Sequence, residues 1–325
     1  MREVLFTLLL ALAWFGAVNL VLSAMAAGIG WLIGQGAIRL RSSNAPAVLL
    51  ALKLVPGVIA IFFTCVVFLP AQWRFEPEGV DESAGYSLIA VGLLGAVTLA
   101  LAARRAIRDA RVTRRLERGW RTRAVGLGTL AGGAVPVYCL PDDAPIISLA
   151  GLRRPRVFMA RPVIEVFTQD EMDVSLAHEL SHHDTRDNFK RVLVACSPDL
   201  LGIWPSGRAL EQRWRAAVEF AADARAVGGS GLRAVSLASA LLKVARMVPA
   251  VGAPAAGIGF YDGTLLWARI DRLLASGDGE ASTPPLGRAW SVSLCGMTLL
   301  AAAMAAEGAW LGVHLATEGL VRLLP

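Results

Sequence analysis

Residues 175–188, SLAHELSHHDTRDN, decide how the rest of the chain is read. Thr168 and Glu171, just upstream, are spaced as a capping box and start a helix there. Met172, Leu176 and Leu180 then form an apolar stripe at helical spacing. On that helix His178 and His182 are four residues apart, so they share a face about one turn apart and both imidazoles can reach one metal ion. Glu179 is turned about 100° from His178, beside the metal rather than under it, where it can take the proton of an attacking water. This is the H-E-x-x-H arrangement. The bland alternative is a solvated helix end beside Asp184 and Asp187. Against it, the chain has four histidines and three of them fall in this window.

A catalytic metal of this kind needs a third protein ligand and an open position. The segment 209–229, ALEQRWRAAVEFAADARAVGG, reads as a second long helix ended by Gly228 and Gly229. Glu219 and Asp223 lie four apart on one face of it, and Glu219 is the expected third ligand. Glu211 is its rival, and a surface pair of Glu219 with Arg215 is the non-functional alternative. The E-x-x-x-D spacing favours Glu219, because it also supplies a carboxylate to hold a ligand in place.

The surrounding chain is apolar: 325 residues, 55% hydrophobic and 18% charged, with a mean hydropathy of +0.54. Membrane spans are expected. Three precede the histidine motif, at about 4–38, 47–69 and 86–103, and a fourth follows at about 289–306. The first is read as uncleaved, because the apolar run continues past Ala24-Met25-Ala26, which resembles a cleavage site. It exceeds what a bilayer needs, so its second half is expected to tilt or leave the membrane. Lys53 is expected to snorkel to the interface, and Pro56 to kink its helix. The four cysteines, Cys65, Cys139, Cys196 and Cys295, form no C-x-x-C pair.

Charge sets the expected orientation. Arg39 and Arg41 lie in the first loop. Arg74 stands against Glu76, Glu78, Asp81 and Glu82 in the second. Residues 104–123 carry nine arginines against Asp109 and Glu117. Basic, acidic, basic places both termini and the loop at 70–85 outside, and the segment after span three in the cytoplasm. The arginine run reads as an orientation signal that can also lie on anionic lipid. No aromatic-rich basic module for nucleic acid is present. Residues 104–285 form the soluble domain, with β-like runs at 135–140 and 156–160. Residues 286–325 hold the last span and a short tail. The fold class expected is an α-helical multi-pass membrane protein with an α+β domain.

HELSHH, followed by Arg186-Asp187, Trp204-Pro205 and EFAAD, resembles the BlaR/MecR-type antirepressor membrane metallopeptidases over about residues 133–227. These are gluzincins, with two histidines and a downstream glutamate on zinc. The resemblance implies that His178, His182 and Glu219 bind Zn2+ and that Glu179 is the general base. It also implies that Asp187 and Asp223 support the ligands from behind. Three spans before the domain and one after also fit that family. HtpX-type and CAAX-prenyl-protease-type peptidases share these motifs. Intramembrane site-2 proteases place theirs in an apolar span, whereas here Asp170, Glu171, Asp173, Asp184 and Asp187 flank it. The family's receptors carry a penicillin-binding sensor after the last span. This sequence ends at Pro325, so a β-lactam signal is not expected.

The function implied is a zinc endopeptidase of the cell membrane with a cytoplasmic catalytic domain. Its substrate would be a cytoplasmic repressor or another regulatory protein, and its input a membrane partner, the lipid or the spans. The alternatives are an HtpX-type quality-control protease and a signal transducer whose metal domain only binds a partner. Arg225 and Tyr261 are candidates for the oxyanion donor. Arg154-Pro155-Arg156-Val157-Phe158 is expected to be the edge strand that receives substrate.

Overall fold

The computed structural model describes residues 2–38, 44–75, 85–130, 135–141, 147–199, 205–247, 263–275 and 307–323. The expected span at 289–306 and Tyr261 lie outside them. Three helices are long and apolar enough to cross a membrane. They are α1 (Arg2–Gly34), α2 (Ala45–Phe75) and α3 (Tyr86–Arg123). In α2, Pro56 lies within the helix, and Phe63–Phe68 adopts a π-helical winding. Small residues let α1 and α3 approach closely, as membrane helices require. A Cβ on Gly16 would lie 3.1 Å from the backbone of Gly95, and one on Gly95 would collide with the carbonyl of Leu12.

α3 continues without a break through residues 103 and 104, so the apolar span and the arginine-rich segment are one helix. It leads directly into a four-stranded mixed sheet of β1 (Val125–Leu130), β2 (Val135–Leu140), β3 (Ile147–Ala150) and β4 (Arg156–Ala160). The order is β1-β2-β4-β3. β2 and β4 run parallel, and the outer pairs are antiparallel. Strand alternation sends Val135, Val137, Val157 and Met159 to one face and Leu140 and Phe158 to the other. Trp120, from the end of α3, covers the second face, 5.4 Å from Phe158 ring to ring.

The segment expected as an edge strand, 154–158, does not lie at an edge. β4 is internal, hydrogen-bonded on both sides, and the short strand β3 is the edge on that side. Pro155 precedes β4 and removes no ladder donor, so it did not mark an edge.

The other elements are α4 (Arg161–Val166), α5 (Gln169–Asp184), α6 (Asp187–Cys196), α7 (Pro205–Val227), α8 (Gly231–Met247), α9 (Gly263–Ala275) and α10 (Glu307–Leu323). α5 lies between two apolar layers. Met172, Leu176 and Leu180 pack on the first face of the sheet. Val174 and Ala177 pack on Leu237, Leu241 and Ile270 of α8 and α9. α7 rests against α2 through Leu210, Trp214 and Val218 on Leu49 and Leu50. α10 packs on the bundle, where the indole of Trp14 donates to Thr317 at 3.1 Å.

Lys53 does not snorkel. It is 3% exposed, and its Nζ lies 2.5 Å from Asp199 Oδ2. Residues 197–199, which follow α6, enter a notch between the long helices. Asn19 donates to the carbonyl of Pro198 at 2.8 Å, and Ser197 donates to that of Lys53 at 3.2 Å. A Cβ on Gly57 would lie 2.9 Å from the Pro198 ring.

Candidate metal centre

α5 starts at the expected capping box, with Thr168 accepting from the N–H of Glu171 and Glu171 accepting from that of Thr168. This fixes the helical register, and with it the shared face of His178 and His182. The helix ends at Thr185, and Arg186 then takes a left-handed conformation, φ 53°. That sharp turn starts α6 at Asp187 and brings its carboxylate back toward α5, where Oδ2 lies 2.9 Å from His182 Nδ1. Thr185 and Lys190 donate to the same carboxylate at 2.7 and 2.8 Å. α7 carries Glu219 and Asp223 one turn apart. Asp223 Oδ1 lies 2.9 Å from His178 Nδ1.

With each Nδ1 2.9 Å from a carboxylate oxygen, the two Nε2 atoms face each other at 3.2 Å. Glu219 closes the triangle, with Oε2 at 3.4 Å from His178 Nε2 and Oε1 at 3.7 Å from His182 Nε2. Ligands bound 2.0–2.1 Å from a tetrahedral ion lie about 3.3 Å apart, so the three donors fit one metal ion. Two further observations agree. Glu219 Oε2 is buried without a well-formed hydrogen bond. The imidazoles also turn their lone-pair nitrogens toward one another, which is stable only with a proton or a cation between them. His178, His182 and Glu219 are all buried, and theirs is the metal-capable group of three found among the described residues. The rival Glu211 bonds instead to Arg215 at 2.7 Å, and its other oxygen lies 3.9 Å from Lys53.

Electrostatics point the same way. For His182 burial opposes protonation, but Asp187 and Glu219 outweigh it and raise its pKa to about 9. His178 is raised too, its burial overcome by Asp223 and Glu219. Burial also acts against ionisation of Glu219, yet the two imidazoles and Arg269 hold it well below the ordinary carboxylate range. The pocket is therefore built around carboxylates that want positive charge, supplied by two protons or by one divalent cation.

Glu179 is 2% exposed and sits beside this cluster. Burial pushes its carboxyl above the ordinary range, against the pull of His182 and His178. Its Oε2 accepts from the N–H of Leu149 at 2.7 Å. Asn188 of α6 donates to the carbonyls of Leu149 and Gly151 at 3.0 and 3.2 Å. The edge strand β3 is thus tied at Leu149 to α5 and α6.

Arg225 donates to Ser181 Oγ at 2.6 Å, and its charge faces Asp187 and Asp184. Two contributors were missed in the sequence. One is β3, four residues long. The other is Arg269 of α9, 2% exposed. Arg269 had a legible signal. It falls between Leu266, Ile270 and Leu273 on the apolar face of a helix, where a cation needs a partner. No protein-family model matches the chain and no curated protein matches its sequence, so the assignment of this centre rests on the side chains themselves.

Proposed function

We propose that the chain is a membrane-tethered, zinc-dependent endopeptidase with its centre on the cytoplasmic side. The observation that carries this reading is the placement of Glu179. A buried carboxylate with a raised pKa lies next to a three-donor cluster of two imidazoles and a carboxylate. A site that only bound metal for structure would not need it. Zn2+ held by His178, His182 and Glu219 would polarise a scissile carbonyl and acidify the attacking water. Glu179 takes the proton of that water and delivers it to the leaving amine, a role suited to a carboxyl whose pKa is shifted toward neutrality. The N–H of Leu149 orients the carboxylate, and Asp187 and Asp223 keep both Nε2 atoms aimed inward. A regulatory protein such as a repressor is the substrate class the motif resemblance favours.

The cytoplasmic placement is supported by α3, which carries the arginine-rich segment straight into the sheet. Impermeant thiol labelling of intact cells is expected to reach Ser83→Cys and not Ser230→Cys. The opposite pattern inverts the topology.

The deciding experiment compares the proteomes of cells carrying the native protein or Glu179→Gln. A cleavage fragment present only with the native protein is expected. The purified variant should keep its metal and lose about 10²–10⁴-fold in turnover. Identical fragments in both strains would leave a metal-dependent binding module instead.

A further inference from the structure

The mechanism leaves one buried cation unused. Arg269 of α9 forks onto Asp223, with Nε to Oδ2 at 2.8 Å and Nη2 to Oδ1 at 2.7 Å. Its remaining nitrogen, Nη1, lies 3.3 Å from Glu219 Oε2, an ion-pair contact without hydrogen-bond geometry. One guanidinium therefore touches both carboxylates that α7 presents to the centre. Asp223 Oδ1 is shared between Arg269 and His178 Nδ1. The chain Arg269–Asp223–His178 and the branch Arg269–Glu219 converge on the same metal-facing atoms. The side chain is 2% exposed, and α9 is held in place by Ile270 and Leu273 in the core shared with α5, α7 and α8.

We infer that Arg269 is a positioning residue for the centre: its planar fork sets the rotamers of Asp223 and Glu219 together, and through them the aim of His178. The inference rests on the metal site proposed above and extends it to a third layer. Charge alone would not require arginine. A lysine ammonium could neutralise one carboxylate, but it cannot hold two at the fixed angles of a guanidinium. The rigid fork matters because the ligand atoms must stay within a few tenths of an ångström of the metal distance.

The test uses the full-length protein in detergent or nanodiscs and reads metal binding rather than cleavage. Zn2+ affinity is measured by competition with a chromophoric chelator, and ligand geometry by the visible absorption of the Co2+-loaded protein. Wild type is compared with Arg269→Lys and Arg269→Gln. Both variants are expected to lose about 10–100-fold in affinity and to show an altered Co2+ spectrum, with no rescue by lysine. Wild-type affinity and spectrum in Arg269→Lys would overturn the inference, reducing Arg269 to a charge balance.

If a single variant fails to fold, Arg269→Met combined with Asp223→Asn removes the cation together with one of the two charges it faces. It is measured against Asp223→Asn alone. A further loss on adding Arg269→Met supports the fork, and equality overturns it. If the native protein binds metal with an affinity that depends on Arg269 yet cleaves nothing, the peptidase reading falls and the positioning role stands.

Discussion

At the scale of single residues, the centre is decided by which nitrogen of each imidazole is taken. Asp223 and Asp187 lie 2.9 Å from Nδ1 of His178 and His182, so the Nε2 atoms face each other and Glu219. Metal and protons then compete for one place, and this gives a pH prediction with a definite sign. In the metal-free protein His182 has its pKa raised from 6.5 to about 9. The folded state thus holds a proton that the unfolded chain releases at lower pH. The resulting stability is full below about 6.5 and is lost as pH rises through about 9. Melting temperatures of the metal-free protein should therefore fall across that window. Metal affinity should rise over the same window, because binding displaces protons. A metal-free protein that becomes more stable between pH 7 and 9 contradicts the arrangement.

At the scale of elements, α5 is the piece on which the others are registered. Its capping box fixes where the helix begins, and Glu171 does more than cap. It accepts from Ser239 at 2.6 Å and from Lys243 at 2.7 Å, tying the start of α5 to α8. Thr168→Ala removes the side-chain acceptor and should cost about 0.5–2 kcal/mol, read by chemical denaturation of the metal-free protein. Its metal-loaded Co2+ spectrum should stay unchanged, because the cap lies at the far end of the helix from His182. No loss of stability would mean that Glu171 alone anchors the helix.

This helix, the i, i+4 histidines and the Glu219–Asp223 pair were legible because each is a local pattern whose spacing maps directly onto one helical face. The sheet order was not. Pro155 pointed to an edge at 154–158, but strand order is set by non-local pairing, and ISLA at 147–150 is too short to show a periodicity. Lys53 failed for a related reason. Its place near the start of a span suggested the interface, while its partner, Asp199, is 146 residues away.

At the scale of the whole molecule, Lys53 shows how the centre is fastened to the long apolar helices. Residues 197–199 leave α6, whose first residue is the Asp187 that steers His182. The chain then proceeds to α7, which bears Glu219. Between those two helices it is gripped from three sides: by Asn19 of α1, by Lys53 and Gly57 of α2, and by Arg105 of α3, which donates to the carbonyls of Ala195 and Ser197 at 3.1 and 2.5 Å. A displacement of α2 against α1 and α3 would move the notch, and with it the end of α6, whose Asp187 steers His182, and the chain that leads to the Glu219 helix.

The pair Lys53–Asp199 is the charged part of that grip, with side chains 1% and 9% exposed. Removing one partner takes the nearest opposite charge from a poorly solvated group, a loss of up to about 3–5 kcal/mol, whereas replacing both with apolar side chains is often nearly neutral. Lys53→Met should therefore lower the denaturation midpoint of the full-length protein in micelles. Lys53→Met with Asp199→Leu should recover much of that loss, a coupling a double-mutant cycle can read. Metal affinity should drop in the single variant and return in the double one, because the ends of α6 and α7 are set by the same notch. If Lys53→Met unfolds like the wild type and binds metal equally well, the spans anchor the domain without positioning its centre.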